Sequence, residues 1–309
     1  MEHNYAAYTM IDMSLTSKLK AIVGLRYEHF TQKINLADPV VTDPTSMQNY
    51  NTFNPAINYP QNDTNASTVY PPYREIGNIT LVNTTKSDLL PYLTMIYGVT
   101  DKTNLRFSLN QSLTRTKEQE LIPLNLLNQF TGTRNIGNPS LTRTKITHFD
   151  LRFETFPTGT EIMSASLFYK YFNNPAEASL ISSAAGDGYL STFTNQKSAM
   201  VAGIEIEFRR RIGSLLSTGG ILDRLTLYTN LSFMQSRVDV ASVSPLEIFD
   251  NEKRSLQGQA NYVINAGLIF SEPKTNISFA MFYNRVGQRI SLVSNDQNLY
   301  PNIYELARY

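Results

Sequence analysis

Ten stretches of this chain alternate apolar and polar side chains with a period of two, and the connections between them are short and long by strict turns. The stretch from Thr103 to Phe172 shows the pattern best. Leu105, Phe107, Leu109 and Leu113 alternate with Asn104, Arg106, Ser108, Asn110 and Ser112. After a long intervening segment, Phe149, Leu151 and Phe153 alternate with His148, Asp150, Arg152 and Glu154. The tight turn Pro157-Thr158-Gly159 leads into Met163, Ala165, Leu167, Tyr169 and Tyr171 on one face. Side chains project to opposite faces along a strand, so each run is a ribbon with one oily and one wet face.

The same period marks Tyr5–Met13, Lys18–Phe30, Leu89–Tyr97, Ala202–Ile212, Leu222–Val240, Tyr262–Phe270 and Asn276–Arg289. Five short connections alternate with four long ones, the longest running from about Ile34 to Lys86. Within it, NITLVN (Asn78–Asn83) has strand character, which suggests a hairpin above the main array. A β-sandwich has loops of mixed length at both ends and no reason for every second one to be short. A transmembrane β-barrel has that reason: short periplasmic turns and long extracellular loops. The expected fold is therefore all-β, a partial antiparallel transmembrane barrel of about ten strands. Tyr27, Tyr97, Tyr171, Tyr262 and Tyr283 fall on the apolar face near strand ends, where interfacial girdles sit.

Composition removes several alternatives. Net charge is +1, which offers no electrostatic case for nucleic acid. There is no cysteine, hence no disulfide framework and no thiolate metal site. No run of 18 apolar residues is available for a membrane helix. MEHNYAAYTM lacks a basic region followed by an apolar core, so an exported barrel with this beginning is expected to be a fragment.

Catalytic patterns are missing as well. Glu205 and Glu207 lie two apart on one face, a spacing that suggests paired glycosidase carboxylates, but Arg209, Arg211 and neighbouring strands make them part of a charged wall instead. His3, His29 and His148 are scattered and form no metal-ligand spacing. Gly186-Asp187-Gly188 lacks the ligand ladder of a calcium loop and reads as a turn, and so does Gly137-Asn138-Pro139. No catalytic residue, cofactor or metal is expected, and the chain reads as no enzyme. Ligand contact is expected at the long loops, through Tyr70, Tyr73, Arg134 and Tyr189, which could stack on or hydrogen-bond a substrate.

Several stretches carry a resemblance. LLPYLTMIYGVTDKTNLRFSLNQSLTRTKEQELIP (Leu89–Pro123), GNPSLTRTKITHFDLRFE (Gly137–Glu154), SASLFYKYFNNPAE (Ser164–Glu177) and AGIEIEFRRRI (Ala202–Ile212) come first. RSLQGQANYVINAGLIF (Arg254–Phe270), FYNRVGQRI (Phe282–Ile290) and PNIYELARY (Pro301–Tyr309) follow. In this order they resemble the C-terminal barrel of TonB-dependent outer-membrane receptors, in the form typical of Bacteroidota. Departures are Thr116-Lys117 where the family usually has Arg-Pro, and Ala260-Asn261 where Ser-Pro is common.

The resemblance implies that residues 1–309 are one partial barrel domain of a larger, plugged barrel of about 22 strands, with the plug and final strands absent. It further implies an outer-membrane receptor that binds an extracellular nutrient and imports it with TonB-supplied energy. Implied partners are TonB, through a segment outside this chain, outer-membrane lipid, a small-molecule, glycan or peptide substrate, and a surface lipoprotein. Two other classes remain open from the residues: a passive porin-like channel, and a secreted carbohydrate-binding β-protein whose apolar faces would pack on each other.

Overall fold

A computed structural model describes residues 1–36, 79–122, 126–128, 133–182, 189–240, 254–294 and 303–305. In chain order the first elements are β1 (Glu2–Ser14), β2 (Leu19–Leu36), β3 (Ile79–Thr100) and β4 (Thr103–Thr114). A helical turn α1 (Glu118–Leu121), β5 (Leu126–Asn128) and β6 (Thr133–Ile136) precede β7 (Thr144–Thr155) and β8 (Ile162–Asn173). Then come β9 (Ala176–Ser182), β10 (Tyr189–Asn195), β11 (Ser198–Arg211), α2 (Ile212–Leu216) and a 3-10 helix (Gly220–Arg224). β12 (Leu225–Asp239), β13 (Tyr262–Glu272), β14 (Ile277–Val286), β15 (Arg289–Ser294) and β16 (Ile303–Glu305) complete the series.

Ten strands form one sheet in the order β1-β2-β3-β4-β7-β8-β11-β12-β13-β14, every neighbour antiparallel. These are the ten strands that the period-two pattern predicts. Local chemistry closes the short ends. Thr16 Oγ1 accepts from the backbone N–H of Lys18 and Leu19 at 3.2 and 2.9 Å, turning β1 into β2. Asn276, with φ 55°, takes the left-handed position between β13 and β14, which asparagine tolerates.

The strands reach further than expected on the long-loop side. β2 continues to Leu36 and β3 begins at Ile79, so the hairpin suggested by NITLVN exists and only residues 37–78 of that loop lie outside the described residues. At the other end β12 starts at Leu225, because Gly220–Arg224 winds into a 3-10 turn. The long connection between β8 and β11 carries strands of its own, the β9–β10 hairpin. The stretch after β14 bends away as β15.

The two faces of the large sheet are buried in the reverse of the order water would impose. Leu25, Leu105, Leu151, Leu167, Ile204, Phe233, Phe279 and Met281 are exposed, while Glu28, Thr94, Glu154, Ser164, Ser166 and Ser232 are buried. On β8 the contrast between adjacent residues is sharp: Leu167 is 56% exposed and Ser166 8%. Strand pairing lines the apolar residues up in rows, as in Leu151↔Leu167↔Ile204↔Phe233. A sheet that hides serine and glutamate and presents leucine requires an apolar surrounding. The five tyrosines expected at strand ends lie on this apolar side. Tyr97 sits toward the short-turn end, and Tyr27, Tyr171, Tyr262 and Tyr283 sit toward the other.

The long loops build a second, mixed sheet of six strands, β16-β15-β9-β10-β6-β5. Here burial is conventional. Ile34 and Val82 of the β2–β3 hairpin, Leu121 of α1 and Leu141 form a small apolar core, with Ile122, Ala176 and Phe193 packed against it. One chain thus has an inverted wall and, at its long-loop end, a cap with an ordinary core.

Candidate functional site

The polar face of the wall is an ordered set of ion pairs. Arg26 Nε donates to Glu28 at 2.6 Å, and Arg115 reaches the other oxygen of the same carboxylate while its guanidinium lies 4.6 Å from the centre of the Phe30 ring. Arg143 donates to Asp88 at 2.6 Å. Deeper along the wall Glu154 accepts from Arg106 and Arg152, both at 3.0 Å, and Arg152 also donates to Glu207 at 2.8 Å. That last bond crosses β8, between β7 and β11, and it can do so because β8 presents only Ser164 and Ser166 there. Glu207 therefore belongs to the charged wall, as its sequence context suggests, although its partner is Arg152 and neither Arg209 nor Arg211. Each of these carboxylates is engaged by at least one arginine, so the row is a set of ion pairs along the wall.

Where β3 and β4 part company an open cleft of about 420 Å³ forms. Their pairing ends at Tyr92↔Asn110, after which β3 continues against β2 and β4 against β7. Arg26, Glu28, Tyr92, Asn110, Ser112 and Arg115 line it.

At the rim, the GNPSL stretch acts as a knot. Gly137 N donates to Ile122 O at 3.2 Å, and a Cβ at Gly137 would fall within 2.8 Å of the Ile122 backbone N and C, so only glycine fits. Asn138 Nδ2 donates to Phe193 O at 2.9 Å and its Oδ1 accepts from Ser140 N at 2.9 Å. Asn195 answers from β10: its Oδ1 accepts from Thr142 N at 2.8 Å, and its Nδ2 donates to Thr142 O and Asn174 O at 3.0 and 2.8 Å. The sequence shows a turn at Gly137-Asn138-Pro139; the structure shows that the turn also pins the β9–β10 hairpin onto the wall.

A second clamp joins residues far apart in sequence. Glu177 accepts two parallel bonds from Arg254, at 2.9 and 2.6 Å, and the pair is buried. Gln257 N donates to Glu177 at 2.9 Å. The Gln257 side chain accepts from Ala178 N at 2.7 Å and donates to Ala178 O at 3.2 Å and Ser291 O at 2.7 Å, bridging β9 and β15 like a strand rung. Neither Glu177 nor Arg254 stood out in the sequence except as part of longer resembling stretches.

Of the expected ligand residues, Arg134 lies in β6 and Tyr189 in β10, and these strands are parallel neighbours with Leu190 opposite Arg134. Two positions more than fifty residues apart are thereby brought within one step of register in the cap. Tyr70 and Tyr73 lie outside the described residues, as does Gly186-Asp187-Gly188. Among the described residues no group of three or more His, Asp or Glu side chains is placed to hold a metal ion.

A wall with an exposed apolar face and a folded cap at one end fits part of a membrane β-barrel, and the family comparison agrees. The model of the "TonB dependent receptor-like, beta-barrel" family matches residues 2–261. The chain belongs to that family. No curated protein matches it in sequence. Solved structures share the fold at low identity. The copper transporter OprC aligns with TM-score 0.58 and 14% identity, over 95% of this chain and 36% of its own. The ferric yersiniabactin uptake receptor FyuA from Yersinia pestis gives 0.57 and 13%, over 99% and 37%. The FrpB iron transporter from Neisseria meningitidis gives 0.54 and 12%, over 99% and 37%. The chain thus spans a little over a third of each. TonB-dependent receptors are Gram-negative outer-membrane transporters and not enzymes, so the apolar face of this wall is its lipid face and its polar face lines the lumen. The short turns mark the periplasmic rim and the cap the extracellular one.

Proposed function

We propose that these residues are the wall and extracellular cap of a receptor that captures a scarce nutrient and imports it with energy delivered by TonB. The single observation that carries the reading is the family match on a sheet whose lipid face is exposed and whose extracellular loops are folded into a cap. A passive pore has no need to tie its loops down with a buried bidentate ion pair, whereas a receptor needs fixed loops to hold a ligand. In this reading residues 1–309 are part of a larger closed barrel whose lumen a separate plug fills, and TonB acts on a segment outside this chain. Arg134 and Tyr189 in the cap, with Tyr70 and Tyr73, are the proposed ligand contacts. The substrate is a small molecule, glycan or peptide.

Uptake by cells expressing the receptor tests this. Growth or accumulation of the cognate nutrient should vanish when TonB is deleted and persist as surface binding. Uptake that continues without TonB, in proportion to external concentration, would make the barrel a passive channel. Arg134→Ala and Tyr189→Ala should weaken surface binding while leaving the amount of receptor in the membrane unchanged.

A further inference from the structure

The connection between β11 and β12 is out of proportion to the other periplasmic turns. They occupy residues 15–18, 101–102, 156–161 and 273–276; this one occupies 212–224 and contains α2 and the 3-10 helix. It is also well tied. Arg210 donates to Ser214 Oγ at 3.0 Å, Thr218 N donates to Gly213 O at 3.0 Å, Arg224 pairs with Glu272 at the end of β13, and the Asp223 carboxylate packs on Gly213. Yet this ordered turn presents Leu215, Leu216 and Ile221 at 46, 57 and 65% exposure. Apolar side chains held in the open by these contacts at a periplasmic rim call for an occupant.

We propose that the β11–β12 turn is an interfacial anchor, with Leu215, Leu216 and Ile221 embedded in the headgroup and acyl boundary of the periplasmic phospholipid leaflet. The turn opens directly out of the lipid face: Leu225, its exit, lies in a row with Phe270 and Phe279 on the apolar side. On the entry side Arg210 occupies the lipid-facing register, opposite Leu227. A cation at this level, below an apolar row, is the arrangement found where side chains meet lipid phosphates. Short segments with an apolar ridge beside basic residues bury that ridge several ångströms into such a boundary. Continuity with the lipid band makes lipid the occupant, in preference to a periplasmic protein or a second copy of the chain.

The chain has no tryptophan, so single reporters added to the receptor in phospholipid vesicles can be read as the difference from the parent. Leu216→Trp and Ile221→Trp should emit at shorter wavelength and lose most of that emission to lipids brominated near the glycerol. Gly159→Trp, on the exposed β7–β8 turn, should keep its emission. Leu167→Trp, in the middle of the wall, should be quenched by lipids brominated further down the acyl chain, and its failure would point to the membrane fold itself. Quenching at positions 216 and 221 no greater than at 159 overturns the anchor. So does blue-shifted but unquenched emission there, which would place the ridge against protein. Ile221→Ser should lower quenching of the position-216 reporter without changing that of the position-167 reporter.

Discussion

Glu177 and Arg254 hold two full charges away from water, and their geometry shows how the cap tolerates that: two parallel charge-assisted bonds, with a third to the same carboxylate from Gln257 N. Removing one partner strands the other, at a cost of about 3–5 kcal/mol. Arg254→Ala should therefore accelerate hydrogen exchange at the β9 amides markedly. The double variant Glu177→Ala, Arg254→Ala should fall well short of the sum of the single effects in a double-mutant cycle. Glu161, in the turn between β7 and β8, is another buried carboxylate, and here pH is the handle. Burial pushes its carboxyl up. The Arg211 N–H (3.0 Å), the Thr158 hydroxyl (3.2 Å) and the charges of Arg210 and Arg211 outweigh that and hold it below the ordinary carboxylate value. A lowered folded-state pKa contributes stability that is present above the unfolded value and lost as pH falls through the folded one. The stability difference between the parent and Glu161→Gln should be constant at neutral pH and shrink on acidification below the usual carboxylate range. A difference independent of pH down to full protonation would contradict the assignment.

Among the elements, strands of the wall obey a rule of depth as well as parity. Leu167 lies midway along β8 between Leu151 and Ile204, whereas Tyr171 lies near its extracellular end, opposite Thr147 and Met200. An arginine at the bilayer midplane costs roughly 2–4 kcal/mol and near the interface about 0–1. Leu167→Arg should thus destabilise refolding into vesicles far more than Tyr171→Arg, as urea titration would measure; equal penalties would mean that β8 crosses at a different level. The lumen side follows another rule, reach. Ser164 and Ser166 are small enough for Arg152 to pass over β8 to Glu207. Polar residues on this face are therefore fixed by partners two strands away, a relation that alternation alone does not reveal.

On the scale of the whole molecule, one chain answers to two solvents. The wall is stabilised by backbone pairing in lipid, the cap by burial of Ile34, Val82, Leu121 and Leu141 from water. These should fail separately. Leu121→Ala removes a fully buried side chain and should cost the cap about 2–5 kcal/mol. The expected result is new protease cleavage in the cap and loss of ligand binding, while the barrel still migrates as folded on unheated gels. The sequence by itself determined the ten wall strands, their order and the lipid face, because a period of two is a local property and each ribbon states which side is oily. It placed Arg134 and Tyr189 in long loops and marked Gly137-Asn138-Pro139 as a turn. Only the tertiary structure decided that those loops fold into a sheet, since β5, β6 and β16 are too short to show a period and β10 pairs in parallel with β6 across a long separation. It alone joined Glu177 to Arg254 and set Gly137 against Ile122. Contacts between distant segments leave no periodic trace, because they are selected by the shape of the assembled chain and not by the spacing of neighbouring residues.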